Sequence, residues 1–271
     1  MGRVCILTDG TAQFIDSKFP GHDLVYTIPV GKPSTGVKWG GISRRPSLPT
    51  VDDFLSHFML LSAEYDAILV LTLASSLGNV LENALQAAGK YVGSMDIQVI
   101  DSQTTDVGLG LLAQKAAEMA YHGADLNEIE DAMRVAIQHT YTLLCIPELR
   151  YLTRTGYLNH SQAVAGEVIG MTPVLTVEEG GLGIIEKART RRHLFEMLQE
   201  FLGEFNHPWY IAMLKAVKGD FCRMRPLRRY LNEAFPETQI SERSINPYLA
   251  TMIGPRSAGL IVVDHLDENL P

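Results

Sequence analysis

The 271-residue chain has little that would mark a secreted, zinc-binding or nucleic-acid-binding protein. Its three cysteines lie far apart and form no CxxC pair, so they offer no disulfide framework. No apolar run is long enough to span a membrane, and the one at the N-terminus is too short for a signal peptide. The net charge of −8 argues against general nucleic-acid binding, which requires a basic surface. We therefore expect a cytoplasmic protein with buried, reduced thiols.

Motifs of the common enzyme classes are also missing. No GxGxxG follows a strand pattern, and neither GxxxxGK[ST] nor GxSxG occurs. The eight histidines form no HxxxH or HxH pair, so the sequence indicates no metal site. Asp9 and Asp101 each end a predicted strand, where α/β proteins bind ligands, although aspartate is also an ordinary turn former.

What is present is an alternation of apolar, β-branched runs with helical patterns. Hydrophobic residues make up 46% of the chain and charged residues 20%, as in globular proteins. The alternation predicts two α/β domains, residues 1–139 and 140–271, although no change of composition marks the boundary. We expect the first domain to hold a mainly parallel sheet flanked by helices.

Several local patterns predict individual elements. Thr50 is placed to cap a helix over residues 50–62, and Asp125 with Glu128 forms a capping box for the helix that follows. The turn residues 178–181 predict a hairpin, and residues 148–155 are interpreted as a short helix.

The turn Ala74–Asn79 is the most informative local pattern. It follows the apolar run Asp66–Leu73 and precedes a helical pattern that begins at Val80. The start of a helix after a strand offers unpaired N–H groups and a positive dipole end, and Ser75 and Ser76 add hydroxyls. This arrangement predicts a site for an anionic head group.

The segment Gly31–Pro49 contains ten Gly, Pro or Ser residues out of 19. It also carries four basic residues, Lys32, Lys38, Arg44 and Arg45. Such a loop is either a binding loop or a plain surface excursion. Trp39 slightly favours a binding loop.

An ordered set of segments carries a resemblance over nearly the whole chain. The segments are ILTDGTAQF at 6–14, PSLPTVDDFL at 46–55, residues 68–84, VIDSQTTDVGLG at 99–110, ELRYLTRTGYLN at 148–159, MTPVL at 171–175, the basic run 187–192, and Gly254-Pro255 with Gly259. Together they resemble the DegV family of bacterial fatty-acid-binding proteins.

The resemblance implies a two-domain α/β protein that buries a long fatty-acyl chain in a cavity between its domains. In the family, hydroxyls of a T-S-x-P and an S-G-T segment hold the carboxylate, together with a histidine near the C-terminus. Such proteins are carriers and not catalysts, and they present the acid to a separate kinase that makes acyl-phosphate. We therefore expect a bound fatty acid or related lipid and no cofactor.

This sequence departs from the family at the head-group positions. Pro46 replaces the threonine of T-S-x-P, Gly78-Asn79-Val80 replaces S-G-T, and Met252 replaces the histidine. The head group is then expected to be held by backbone N–H groups, Asn79 and the turn serines, or by arginine at 44, 45 or 256. The candidate ligand-binding residues are Pro46, Ser47, Ser75, Ser76, Gly78, Asn79, Met252, Gly254 and Arg256.

The region from Glu186 to Arg229 carries ten Lys or Arg against five acids. It is either an ordinary solvated surface or a docking face for an acidic partner such as a fatty-acid kinase. Two other functions stay open. One is a ligand-sensing or regulatory module with altered head-group specificity. The other is a hydrolase that uses the two strand-end aspartates and the turn serines, for which no motif places a histidine base.

Overall fold

The structure, a computed structural model, describes residues 2–31, 46–153, 156–178, 181–216 and 225–264. The strands within these ranges are β1 (Val4–Asp9), β2 (Val25–Ile28), β3 (Ala67–Thr72), β4 (Asp96–Asp101), β5 (Thr140–Cys145), β6 (Thr172–Glu178), β7 (Gly181–Ala188), β8 (Tyr210–Lys215), β9 (Gln239–Ser244) and β10 (Ala258–Val263). The α-helices are α1 (Val51–Leu61), α2 (Val80–Lys90), α3 (Asp106–Tyr121), α4 (Leu126–Gln138), α5 (His160–Val168), α6 (Arg191–Leu202), α7 (Arg225–Ala234) and α8 (Pro247–Ile253).

The first sheet is four-stranded and parallel, in the order β2-β1-β3-β4. Every residue of β1 and β3 is buried, as expected for central strands of a sheet covered on both faces. Helices α1 and α2 pack against each other, and so do α3 and α4. All strands of this sheet therefore end at one edge, where the turns into α2 and α3 begin.

The second sheet is six-stranded and mixed, in the order β7-β6-β5-β10-β8-β9. Only the β8–β9 pair is parallel within it. Because strand side chains alternate between faces, Leu260 and Val262 join one core with α6 and α7, whereas Ile261 and Val263 join the core of the first sheet. One face of the second sheet thus packs directly on the N-terminal half.

Both predicted helix caps are confirmed. The side chains of Thr50 and Asp125 accept hydrogen bonds from the backbone three residues on, in complete capping boxes. The predicted hairpin strands are also present as β6 and β7, and the turn between them lies outside the described residues.

Two local predictions need correction. The short helix expected over residues 148–155 is wrong, because the structure has only a 3₁₀ turn at Leu149–Tyr151. There the N–H of Leu152 bonds back to Leu149 O, which is the tighter 3₁₀ spacing. Helix α8 was not predicted, although Asn246 caps it and Pro247 occupies its first turn.

Some expectations fall on residues outside the described ranges. They concern the basic residues and Trp39 of the 31–49 segment, which the description leaves out from 32 to 45. Among the described residues, no helix is both long and apolar enough to cross a bilayer.

Candidate functional site

The turn Ala74–Asn79 lies at the carboxyl edge of the parallel sheet, between β3 and α2. The backbone N–H groups of Leu73, Ala74 and Ser75 donate hydrogen bonds to residues at or just after the ends of β1 and β4. Leu73 N donates to Asp9 Oδ2 at 2.7 Å, and Ala74 N donates to Thr104 O at 3.0 Å. Ser75 N donates to the Asp101 carboxylate at 3.2 and 3.3 Å. The turn is therefore held rigidly from both sides, at the edge where open α/β sheets bind ligands.

The C-terminal half also contacts this turn, through two tyrosine hydroxyls. Tyr248 of α8 donates to Leu77 O at 2.9 Å, and Tyr157 donates to Ser76 O at 3.3 Å. A Cβ added at Gly78 would lie 2.5 Å from Leu48 Cδ1 and 3.0 Å from Tyr248 Oη. The turn thus lies where the two halves of the chain meet, and it needs glycine at position 78 for close packing.

The polar groups at the turn are incompletely satisfied. The Oγ of Ser76 is buried and has no hydrogen-bond partner among the described residues. Asn79 occupies the N-cap position of α2, but its side chain is exposed and makes no capping hydrogen bond. A buried hydroxyl next to uncapped N–H groups at a positive helix end is suited to an anionic oxygen.

Pro46 and Ser47 directly precede Leu48 and Pro49, which contact the beginning of α2. Gly31 N donates to Ser47 O at 2.8 Å, and Asn83 Nδ2 of α2 donates to Pro49 O at 2.8 Å. The segment that carries Ser47 is thereby bonded to the first turns of α2. Its serine side chain is exposed, and Pro46 is buried.

Met252 and Gly254 lie at the C-terminal end of α8. Met252 is buried four residues after Tyr248, so both lie on one face of the helix. Gly254 has φ +99°, and a Cβ there would lie 2.7 Å from the Tyr151 ring. Glycine is required at this position both by its left-handed backbone and by the ring.

Arg256 does not line the turn Ala74–Asn79. It lines a surface cavity of about 450 Å³ that none of the turn residues reaches. The walls of this cavity come from the 3₁₀ turn at 149–151, the end of α5, the start of β6 and the start of α6. Contact between Arg256 and the head group stays a prediction.

The two strand-end aspartates act on the backbone. Asp9 accepts bonds from Thr11 N at 3.0 Å, Thr11 Oγ1 at 2.6 Å and Leu73 N at 2.7 Å. Its burial raises the pKa of this carboxyl above the ordinary value, and these donors oppose that shift. Asp101 contacts the N–H of Ser75 and not its hydroxyl, so it does not activate that oxygen as a base would. Within the described ranges, no group of three His, Cys, Asp or Glu residues could hold a metal ion.

A buried carboxyl that the sequence interpretation missed joins the two halves. Asp106 accepts bonds from Asn246 N at 2.7 Å, Asn246 Nδ2 at 2.9 Å and Gln13 Nε2 at 2.6 Å. Its backbone has φ +51°, which is uncommon outside glycine. Complete burial raises the pKa of Asp106 to about 7 against the effect of these donors. The sequence signal that could have revealed this contact is the Asn246-Pro247 pair at the start of α8. Asn246 both caps that helix and donates to Asp106.

Both the sequence and the structure of this chain are similar to those of known proteins of one family. The model of a family described as "Uncharacterised protein, DegV family" matches residues 40–265. A DegV domain-containing protein of Caldanaerobacter subterraneus subsp. tengcongensis is 29% identical over 211 residues, which cover 77% of this chain and 74% of that protein.

Two solved structures are similar over almost their whole length. The fatty acid binding DegV family protein of Streptococcus agalactiae has a TM-score of 0.82 at 20% identity, covering 96% of this chain and 98% of that one. The Fatty Acid Kinase (Fak) B3 protein of Streptococcus pneumoniae, loaded with linoleic acid, has a TM-score of 0.76 at 17% identity, covering 97% and 99%. The expected α/β fold is confirmed, and the domain boundary at 139/140 stays a prediction.

Proposed function

Because the chain belongs to the DegV family, we propose that it binds a long-chain fatty acid or a related lipid without converting it chemically. The acyl chain would lie between the two halves, with its head group at the turn Ala74–Asn79. The meeting of both halves at this turn supports that placement, since Tyr248 and Tyr157 reach it from the C-terminal half. The class of ligand is supported by two similar proteins, one described as fatty acid binding and the other loaded with linoleic acid.

The buried, unpartnered hydroxyl of Ser76 carries the proposal for the head group. A hydroxyl left without a partner in a protein interior costs free energy, and a bound carboxylate oxygen would accept its proton in a hydrogen bond. The N–H groups that begin α2 and the exposed amide of Asn79 would supply further donors. Ser47, on the segment bonded to α2, would complete the site from the other side.

This arrangement replaces the hydroxyl-rich head-group site of the family. The family's S-G-T and histidine positions hold Gly78-Asn79-Val80 and Met252, neither of which offers a hydroxyl or an imidazole. The head group would therefore be bound mainly by backbone groups, Asn79 and Ser76. Burial of the tail at about 0.8 kcal/mol per methylene would supply most of the affinity, and the head group would fix orientation.

A non-catalytic role fits the surroundings of the turn serines. The Ser75 backbone binds Asp101, and no base within the described ranges contacts Ser76 Oγ. A serine nucleophile requires such a base. Lack of ester turnover by the purified protein is the expected result, and turnover abolished by Ser76→Ala would contradict it.

Native mass spectrometry with lipid extraction tests the binding proposal, and one fatty acid per chain is expected. Asn79→Asp places a negative charge at the proposed head-group site, so it should weaken binding of the acid at least tenfold. Asn232→Asp is the matched control, because the same change is made on the exposed surface of α7. Equal affinities of the two variants, or a wild type that stays free of lipid, would contradict the proposal.

We also propose that the bound acid is presented to a separate kinase, which docks on the basic region 186–229. The name of the similar Streptococcus pneumoniae protein, a fatty acid kinase component, supports this role. Lys187 and Arg229 are exposed within the region. Charge reversal of both residues should slow association with an acidic kinase, whereas the control Lys90→Glu on α2 should not. Equal association rates in a surface-binding assay would remove the region from the interface.

A further inference from the structure

The surface cavity at Arg256 is strongly cationic although the protein as a whole is acidic. Four arginines line it, Arg150, Arg189, Arg191 and Arg256, together with the two acids Glu148 and Glu167. These residues come from four separate segments of the chain. The fold therefore assembles the cluster, since the basic run 187–192 supplies only Arg189 and Arg191.

One carboxylate oxygen of each acid contacts Arg150, and the other oxygen of Glu148 is buried without a partner among the described residues. Glu148 forms an ion pair with the side chain of Arg150, and Glu167 Oε1 accepts a bond from Arg150 N at 3.0 Å. In the described part of the chain, the other three arginines have neither an ion pair nor a side-chain hydrogen bond. Three unpaired guanidinium groups thus share one concave surface.

The beginning of α6 adds to this positive potential. Thr190 caps the helix by accepting from His193 N, which leaves the N–H groups of residues 191 and 192 without a partner in the described structure. Thr190 and Arg191 line the cavity, so it lies at the positive end of a 12-residue helix. Guanidinium forks and helix N-terminal N–H groups are the two protein groups best matched to phosphate oxygens.

From this geometry we propose that the cavity binds a phosphate-bearing ligand. Its volume of about 450 Å³ admits a molecule larger than a single phosphate ion. Arg191 and Arg256 would hold the phosphate oxygens, and Arg189 would neutralise remaining charge. Such a group is found in soluble phosphate compounds and in phospholipid head groups. The site is separate from the turn that holds the proposed fatty acid, so it does not depend on that function.

Calorimetric titration with inorganic pyrophosphate, at fixed ionic strength, tests the proposal. We expect one site per chain, weakened at least tenfold by Arg191→Gln and by Arg256→Gln. Arg192→Gln is the matched control, because Arg192 is the next residue, pairs with Glu196 and does not line the cavity. The control should bind within twofold of wild type.

Sedimentation with phosphatidylglycerol vesicles separates the two sources of phosphate. Binding of pyrophosphate that depends on Arg191 indicates a soluble ligand, and binding of vesicles alone with the same dependence indicates a lipid head group. Absence of both interactions in the wild type would overturn the proposal. An equal loss in Arg192→Gln would also overturn it, because it would show a response to net charge and not to a site.

Discussion

Replacement of Ser76 by alanine should change lipid affinity and protein stability in opposite directions. Among the described residues the Ser76 hydroxyl is buried without a partner, so its removal should stabilise the free protein. In the complex the same hydroxyl is proposed to donate to the carboxylate, so its removal should weaken binding. A purely structural serine would not give this pair of effects.

The magnitudes follow from the two environments. A hydrogen bond to a charged group contributes about 1.5–3 kcal/mol, which corresponds to a loss of acid affinity of roughly 10- to 150-fold. Relief of an unpaired buried hydroxyl should stabilise the free protein by about 1 kcal/mol. For a chain of this size that is a rise in Tm of about 2–4 °C.

The assay compares titration of hexadecanoic acid with titration of the matching alcohol, and it adds thermal unfolding of delipidated protein. The alcohol lacks the charge, so its affinity should fall much less. Thr8→Val is the control, because the Thr8 hydroxyl in β1 is also buried without a partner in the described structure. That variant should gain stability and keep its affinity for the acid.

Two results would refute the reasoning. Unchanged acid affinity in Ser76→Ala would remove this hydroxyl from the head-group site. A lower free energy of unfolding for the free variant would show that the Ser76 hydroxyl has a hydrogen-bond partner in solution. The hydroxyl would then not be available to a ligand head group.

Three further predictions concern packing, protonation and reactivity. Gly78→Ala should destabilise the protein by about 1–3 kcal/mol in urea unfolding, since its methyl group would lie 2.5 Å from the Leu48 side chain. The control Gly89→Ala, in the open part of α2, should instead stabilise the protein. Burial raises the pKa of Asp106 to about 7, so the folded state holds this proton more tightly than the unfolded chain. The free energy of unfolding of the wild type, minus that of Asp106→Asn, should therefore fall as the pH rises from about 4 to 7. A difference that stays constant with pH would contradict this. Asp9 is present in both proteins, so its titration cancels in the difference. Burial also raises the pKa of the Cys5 thiol to about 12, so alkylation at pH 8 should be slow until urea unfolds the chain, as peptide mass spectrometry would show.

The sequence predicted the first sheet well because its signal is local. β1 and β3 are continuous apolar runs, which is the pattern of strands buried on both faces. The capping residues Thr50 and Asp125 determine helix starts within three residues of chain. Such contacts are short-range, so a linear pattern contains them.

The candidate site was predicted in part for the same reason. The strand, turn and helix around Ser76 could be predicted as a unit, because all three elements are consecutive. Tyr248 could not be assigned to this site, since it lies 171 residues after Leu77, the residue whose carbonyl it binds. The place of Arg256 was also beyond prediction, because its cavity is formed by segments that come together only in the fold.

The sequence by itself determined the strands of the first sheet, the capped starts of α1 and α4, and the polar turn that follows β3, because burial patterns and caps are local. The tertiary structure alone decided which groups remain unpaired at that turn, since burial of the Ser76 hydroxyl without a partner among the described residues depends on neighbours in space. It also decided that Arg150 and Arg256 share one cavity with Arg189 and Arg191, because charge neighbours depend on distances in space and not along the chain.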